Sequence, residues 1–596
     1  MPRRRCSALA EPRRSWQYRE MGSEGATDAM GSIAKATRVK GPRLALETAA
    51  AFGVSLAFLL ALAPTGPFSK ELGACEAGAV RDVLSGTFVL PDYTPGIPVQ
   101  VPPMFWWAAA FAVHLFGWNE LALRAPSILA TAATSAVLYA WIASALDRRA
   151  ALWSVPALLS AHYVADASRQ PRMDAILMMF LTLGMVCLER ALASPHKRMG
   201  LLCAAAISMG LAILTKGPLG IILPGLAIAM FLATQRRFPE LFRLDVIATF
   251  SVALAIGAIW YFAAFHVGGT AFFEYQITQG LLHRFFGSAA GPLGECHNPF
   301  YYFLPRLVSG FLPWSLFYPA LALIVWRERV TLPSPVVFAI CWFLAVLGFF
   351  SISAGKCLVY ILPLFPPLAA LTGWLIARVT TRSTDSSLVQ RLFDWTSLLT
   401  GMGVLTMLIT LATLFFSGRG ANLGVHLHPS DKHFLEVLMS SGSRAAPGLL
   451  LWVSLWLIGG ILAVVAFARK RPLAESATVA LIAVAGTLFW YGFLNPALVA
   501  EQTLKPFAAI LDSVAPPGVR IDYIGETDCD LAFYSKHEIA STNIFRCDKQ
   551  SNDVYLILHE ERLKNLSSDQ RGCLERLAQS SSIDSHGARV LMIEKK

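Results

Sequence analysis

Apolar residues along this chain fall into long unbroken blocks, such as 46–62, 246–265 and 398–416. Each block is about as long as a bilayer-crossing helix, which needs about 20 apolar residues. None shows the polar/apolar alternation of a membrane β-barrel strand. The pattern predicts an all-α, multi-pass membrane protein. Thirteen spans are expected: 46–65, 121–146, 150–165, 173–192, 200–214, 218–234, 244–266, 303–326, 334–352, 357–378, 393–416, 446–468 and 474–494. The segment 103–116 is shorter and opens on Pro102-Pro103, so it reads as an interfacial or re-entrant helix. Counting it as a span would reverse the side of every later loop.

Charge settles that parity. With the N-terminus in the cytoplasm, the cytoplasmic turns are Asp147-Arg148-Arg149, His196-Lys197-Arg198, Gln235-Arg236-Arg237, Arg327-Glu328-Arg329, the stretch 378–391 and Arg469-Lys470-Arg471. All six are basic, as the positive-inside rule requires. The 596 residues are 55% hydrophobic and 15% charged, with a net charge of +11. That surplus is accounted for by these turns and by a basic head containing Arg3, Arg4, Arg5, Arg13 and Arg14, so nucleic-acid binding is not indicated. Residues 1–45 are expected to be a disordered cytoplasmic segment ahead of a retained signal anchor.

This threading sends three loops to the outer face, 66–120, 267–302 and 417–445, within a transmembrane domain spanning 46–495. It sends the tail, 496–596, there too. The tail reads as a small α/β domain, with strands at 519–524, 554–558 and 590–593 and a helix at 569–579. The ten cysteines show no zinc-ligand spacing. Cys187, Cys203, Cys341 and Cys357 read as core residues, whereas Cys529, Cys547 and Cys573 allow a disulfide in an extracytoplasmic tail.

Some charges are surplus to topology. Lys216, in LTKGPLG, and Lys356, in SAGKCLVYILPLFP, lie in outer turns, where the positive-inside rule disfavours lysine. Snorkelling to lipid headgroups is one reading; facing the phosphate of a ligand is the sharper one. Tyr360 follows Lys356 by four residues, a spacing that places both on one helical face. Glu71 and Glu76 follow the first span, and Asp174 opens the fourth beside Arg169 and Arg172. Carboxylates at a membrane boundary are costly unless paired, and they are functional candidates by default. Cations that stabilise a leaving phosphate, with a carboxylate to take an acceptor's proton, describe group transfer from a lipid phosphate.

Six stretches then become specific. ELGACEAGAVRDVLSGTFVLP, VPPMFWWAAAFAVHLFGWNELALRAPS and RQPRMDAILMMF are followed by LTKGPLG, RFFG…HNPFYYFLPRLVSGFLPWSLFYP and GKCLVYILPLFP. In order and spacing they resemble the C-type glycosyltransferases that use polyprenyl-phosphate sugars, above all the bacterial aminoarabinose transferases of lipid A and the protein mannosyltransferases. The resemblance covers about residues 46–380. It implies an inverting transferase of the bacterial inner membrane. The donor would be a polyprenyl (undecaprenyl) phosphate sugar, and the acceptor a lipid A, glycan or protein group at the outer face. Glu71 would take the place of the leading acid, with Glu76 one turn later, and Asp174 that of the second. Lys216, Lys356, Tyr360, Arg172, Arg169 and Arg284 would surround the donor phosphate.

Two departures stand out. The family's lysine before Pro-Pro is Val101 here, and Glu71 is followed by Leu72 rather than a second acid. A Mg²⁺ ion beside carboxylates and phosphate is compatible with these residues, as is the metal-independent chemistry of some relatives. The main rival is a transporter or flippase of a lipid-linked sugar, which would place its charges near the midplane of paired, broken-helix halves. Here the charges gather at the outer ends. A purely structural or assembly protein would not explain Lys216 and Lys356.

Overall fold

The computed structural model describes residues 38–63, 67–68, 75–91, 101–274, 298–381, 387–416, 446–496, 499, 503–525, 529–542, 555–584 and 587–594. The basic head up to residue 37, Glu71, Arg284 and the loop 417–445 lie outside them. Named in chain order, the helices of the membrane part begin with α1 (Gly41–Leu62), α2 (Glu76–Leu84), α3 (Met104–Phe116) and α4 (Glu120–Ala145). Next come α5 (Arg148–Leu159), α6 (His162–Arg169), α7 (Met173–Ala193), α8 (Arg198–Lys216), α9 (Leu219–Thr234) and α10 (Leu244–Glu274). The series closes with α11 (Phe303–Gly310), α12 (Tyr318–Arg327), α13 (Ser334–Ile352), α14 (Phe365–Thr381), α15 (Ser387–Phe416), α16 (Ala446–Ala468) and α17 (Pro472–Thr487).

Ten helices among the described residues are long and apolar enough to cross a bilayer, and they coincide with ten of the thirteen predicted spans. The other three differ in form. Segment 303–326 is bent by 108° between α11 and the helix that starts at Trp314. Segment 218–234 is a shorter apolar helix, α9. Segment 150–165 breaks into α5 and α6, and Ser160 in the break receives the indole N–H of Trp314 at 2.8 Å. Apolarity alone does not register the two breaks, and the Trp314–Ser160 hydrogen bond ties one to the other across 154 residues. Segment 103–116 forms the expected short helix, α3.

Burial sorts the helices into a core and a rim. The spans of α4 and α7 are 72% buried, whereas that of α1 is only 11% buried. Phe262 on α10 and Leu46 on α1 are more than 70% exposed, as residues facing lipid acyl chains are. Inner helices approach closely. A Cβ on Gly373 of α14 would stand 2.3 Å from the Ala150 carbonyl of α5. The basic turns are neutralised at one end of the bundle by Arg148–Glu47 (2.9 Å), Arg198–Asp245 (2.6 Å) and Arg378–Glu328 (2.8 Å).

The tail forms a five-stranded mixed sheet. Its elements are α18 (Lys505–Val514), β1 (Ile521–Ile524), α19 (Cys529–Tyr534), β2 (Ile539–Thr542), β3 (Tyr555–His559), α20 (Glu560–Asn565), α21 (Ser568–Gly572), β4 (Leu574–Asp584) and β5 (Gly587–Glu594). The order is β2-β1-β3-β5-β4, with β1 parallel to β2 and β3, and β5 antiparallel to β3 and β4. The three predicted strands are present. The predicted helix at 569–579 is not: α21 stops at Gly572 and β4 follows. The sheet is covered on both faces, Leu574 packing with Val590 and Met592 on one side and Leu577 against Leu591 and Tyr523 on the other. Two leucines three apart then serve opposite faces of a strand and mimic a helical period.

Candidate active site at one end of the bundle

α7 and α8 are antiparallel neighbours, so the first turn of α7 and the last turn of α8 lie at the same end. That pairing brings Asp174 against Lys216, whose ammonium donates to Asp174 Oδ1. The turn after Lys216 depends on Gly217, at φ +65°, where a Cβ would also meet the Tyr261 hydroxyl at 2.8 Å. Arg172, immediately ahead of α7, places its Nε 3.5 Å from Asp174 Oδ2. Its backbone carbonyl accepts from Ser127 Oγ at 3.0 Å, which ties this turn to α4. The Asp174 side chain is only 4% exposed. A carboxylate this buried persists only with paired cations, and it has two.

Glu76 opens α2, a nine-residue helix that buries Glu76, Ala77, Ala79, Val80 and Val83. Trp106 of α3, fully buried, donates its indole N–H to the Glu76 carboxylate. A buried indole needs an acceptor, and the tandem Trp106-Trp107 of the α3 segment was the one sequence signal for this contact. Arg172, Asp174 and Lys216 all act electrostatically on Glu76. Burial is the largest influence and pushes its carboxyl up to about 7, against the opposing pull of the Trp106 hydrogen bond.

The remaining candidates divide. Tyr360 joins the cluster, its ring centroid 4.9 Å from the Lys216 ammonium and 5.4 Å from the Phe350 ring it stacks on. Lys356 is buried and donates to the Ser353 carbonyl at 2.6 Å. It does not share a helical face with Tyr360, because regular structure begins only at Leu358, in a 3₁₀ turn running to Leu364. The Lys356 ammonium takes a carbonyl of its own loop, and that loop interrupts the helical spacing. Arg169 turns away from Asp174, and its guanidinium lies over the Tyr491 ring at 4.9 Å. Glu71 and Arg284 lie outside the described residues, so their roles stay those the resemblance implies.

Among the described residues no three His, Cys, Asp or Glu side chains come together as ligands. The oxygens of Asp174 face Lys216 and Arg172, and Glu76 holds Trp106.

The tail meets this site, which sequence reading missed. Cys75, the residue before α2, is disulfide-bonded to Cys529 at the start of α19. Cys529, expected to pair with Cys547 or Cys573 inside the tail, instead takes its partner from the segment after the first span, 454 residues away. Cys573 is disulfide-bonded as well. Glu120, at the start of α4, receives Lys505 Nζ at 2.8 Å and the Tyr534 hydroxyl at 3.1 Å.

The family profile described as dolichyl-phosphate-mannose-protein mannosyltransferase matches residues 100–263. An undecaprenyl phosphate-alpha-4-amino-4-deoxy-L-arabinose arabinosyl transferase of Pseudomonas aeruginosa (strain UCBPP-PA14) is 32% identical over 384 residues, 62% of this chain and 64% of the relative. The corresponding transferase 1 of Pseudomonas fluorescens (strain Pf0-1) is 29% identical over 306 residues, 50% of this chain and 51% of the relative. The chain therefore spans between about half and just under two-thirds of the length of these curated relatives. The crystal structure of ArnT from Cupriavidus metallidurans bound to undecaprenyl phosphate shares the fold, with a TM-score of 0.72 over 91% of this chain and 97% of that one, at 20% identity.

Proposed function

We propose that the chain is a C-type glycosyltransferase, a reading the family profile, the relatives and the shared fold support, and that it transfers a sugar from a polyprenyl phosphate to an acceptor hydroxyl at the outer face of a bacterial inner membrane. The observation that carries this reading is the set of buried Glu76 and Asp174 with half-buried Lys216 and Arg172, gathered at one end of a bundle whose basic turns lie at the other. The nearest donor chemistry is the undecaprenyl phosphate aminoarabinose named for the relatives, and the acceptor is a lipid A, glycan or protein group.

In this mechanism the acceptor oxygen attacks the anomeric carbon while the bond to the phosphate oxygen breaks. Glu76 takes the acceptor's proton, and the polyprenyl phosphate leaves with the electron pair. Lys216 and Arg172 stabilise the charge that develops on it, and Tyr360 offers its hydroxyl beside Lys216. Asp174 holds both cations in place and is itself a positioning residue. A single displacement inverts the anomeric centre. No step is routed through a metal.

The test is transfer in membranes from an undecaprenyl phosphate carrying radiolabelled 4-amino-4-deoxy-L-arabinose. The parent yields labelled lipid-soluble product, and Asp174→Asn yields at least about tenfold less, as expected when cations lose the group that orients them. Movement of the donor across the membrane with no covalent product overturns the transferase in favour of a flippase.

The orientation is proposed as well: N-terminus in the cytoplasm, C-terminal domain outside. Basic turns at one end support it, as does a disulfide at the other, since disulfides persist in oxidising compartments. A cysteine placed at exposed Arg236 should react with an impermeant maleimide only from the cytoplasmic side, and one at exposed Lys536 only from outside. The reverse pattern overturns the orientation.

A further inference from the structure

We propose that the Cys75–Cys529 disulfide positions Glu76, so that the outer C-terminal domain governs the site and reduction of this bond switches it down. The inference rests on the transferase reading above. Cys75 is covalently adjacent to Glu76 at the start of α2, and its Cα lies 4.7 Å from that of Cys529. Helix α2 has little to hold it by itself. It is nine residues long, with no side-chain cap at its N-terminus, and isolated helices this short are not stable in water.

Its apolar face packs in one core with α3, and α19 of the tail supplies the polar and covalent part of the hold. Arg81 of α2 donates to the carbonyls of Phe533 (3.1 Å) and Ser535 (3.3 Å), and Trp118 donates to Phe533 O at 3.3 Å. The Phe533 ring packs on Phe68 at 4.9 Å and on Trp118 at 5.2 Å. It belongs to the same core as Trp106, which grips Glu76, and Ala175, the neighbour of Asp174. The disulfide closes this path at the one point where α2 meets the catalytic carboxylate.

Both cysteines are half-buried, neither being enclosed in the core. A dithiol reductant gives up two electrons and two protons, the S–S bond becomes two thiols, and the reductant leaves as its own disulfide. The groups facing Glu76 then act on a carboxylate that has partly left them: Arg172 and Asp174 from α7, Lys216 from α8 and the Trp106 indole from α3.

The test uses the full chain in lipid nanodiscs, with undecaprenyl phosphate aminoarabinose as donor and lipid A as acceptor. Reduction should lower kcat at least about tenfold, the scale expected from misplacing a catalytic group by a fraction of an ångström. The donor KM should stay within about twofold, because Lys216 and Arg172 remain in place. The pH midpoint of kcat should fall below 7 as Glu76 becomes solvated, and reoxidation should restore the parent values. Cys75→Ser/Cys529→Ser should match the reduced parent and ignore the reductant, which separates this bond from that of Cys573. Hydrogen exchange in 76–84 should quicken on reduction of the folded parent, a readout that does not require the double variant to fold.

A reduced parent or double variant with parental kcat and pH midpoint overturns the proposal, and so does unchanged exchange in 76–84. Absence of transfer by the oxidised parent instead overturns the transferase reading, and the exchange measurement still decides the coupling.

Discussion

Replacing Glu76 by glutamine should lower kcat by about 10²–10⁴, the range a positioned general base contributes, and should abolish the pH dependence of the residual rate near neutrality. The substitution keeps volume and leaves an amide oxygen to accept the Trp106 N–H, so the fold is retained. In the parent, burial pushes Glu76 up to about 7. Below that pH the carboxyl holds its proton and cannot act as a base, so kcat rises with pH around a midpoint near 7.

The same shift has a stability consequence of opposite sense. A carboxyl raised from 4.5 to about 7 binds more protons in the folded state than in the unfolded one across that window. Stability is therefore complete below 4.5 and declines as pH climbs to 7, by on the order of 3 kcal/mol at pH 8. Glu76→Gln removes that loss, and it should unfold at a higher temperature than the parent at pH 8 but not at pH 4. A variant that keeps parental kcat and the same midpoint removes Glu76 from the mechanism and assigns the titration to another group.

Replacing Lys216 by methionine should cost both activity and stability, and the two losses separate. Loss of one fixed cation at a developing phosphate charge costs about 10²–10³ in kcat. Removing one partner of a buried pair costs about 3–5 kcal/mol, because it leaves a charge uncompensated. Arg172 at 3.5 Å offsets part of this. In Asp174→Asn/Lys216→Met both charges are gone, and most of the stability should return while transfer does not. Thermal unfolding in detergent and the transfer assay together measure this cycle. Single and double variants that are equally unstable would show that Asp174 and Lys216 do not stabilise each other. A folded Lys216→Met that transfers at the parental rate would remove Lys216 from the donor phosphate.

Two errors and one omission show where sequence reading loses its grip. The spacing from Lys356 to Tyr360 suggests one helical face, but the chain is irregular up to Cys357, because the buried Lys356 ammonium folds back on Ser353. The leucines at 574 and 577 suggest a helix, but a sheet covered on both faces draws apolar side chains to opposite sides of one strand. The omission is Cys75, which looks like any small residue of the first outer loop until α19 is seen beside it.

What the sequence determined by itself is what short-range physics writes into it. Block lengths indicate the spans, the arginine-rich turns suggest their parity, and lysines that defy it, with carboxylates at the membrane boundary, nominate one end as the candidate site, Asp174 and Lys216 among them. The tertiary structure alone decided which of those charges meet. Asp174 and Lys216 are brought together by the antiparallel packing of α7 on α8, Glu76 by the indole of Trp106, and the tail by a bond across 454 residues. Such partners leave no period or spacing in the chain, because their proximity depends on how buried helices and the tail's sheet pack against one another rather than on any local preference.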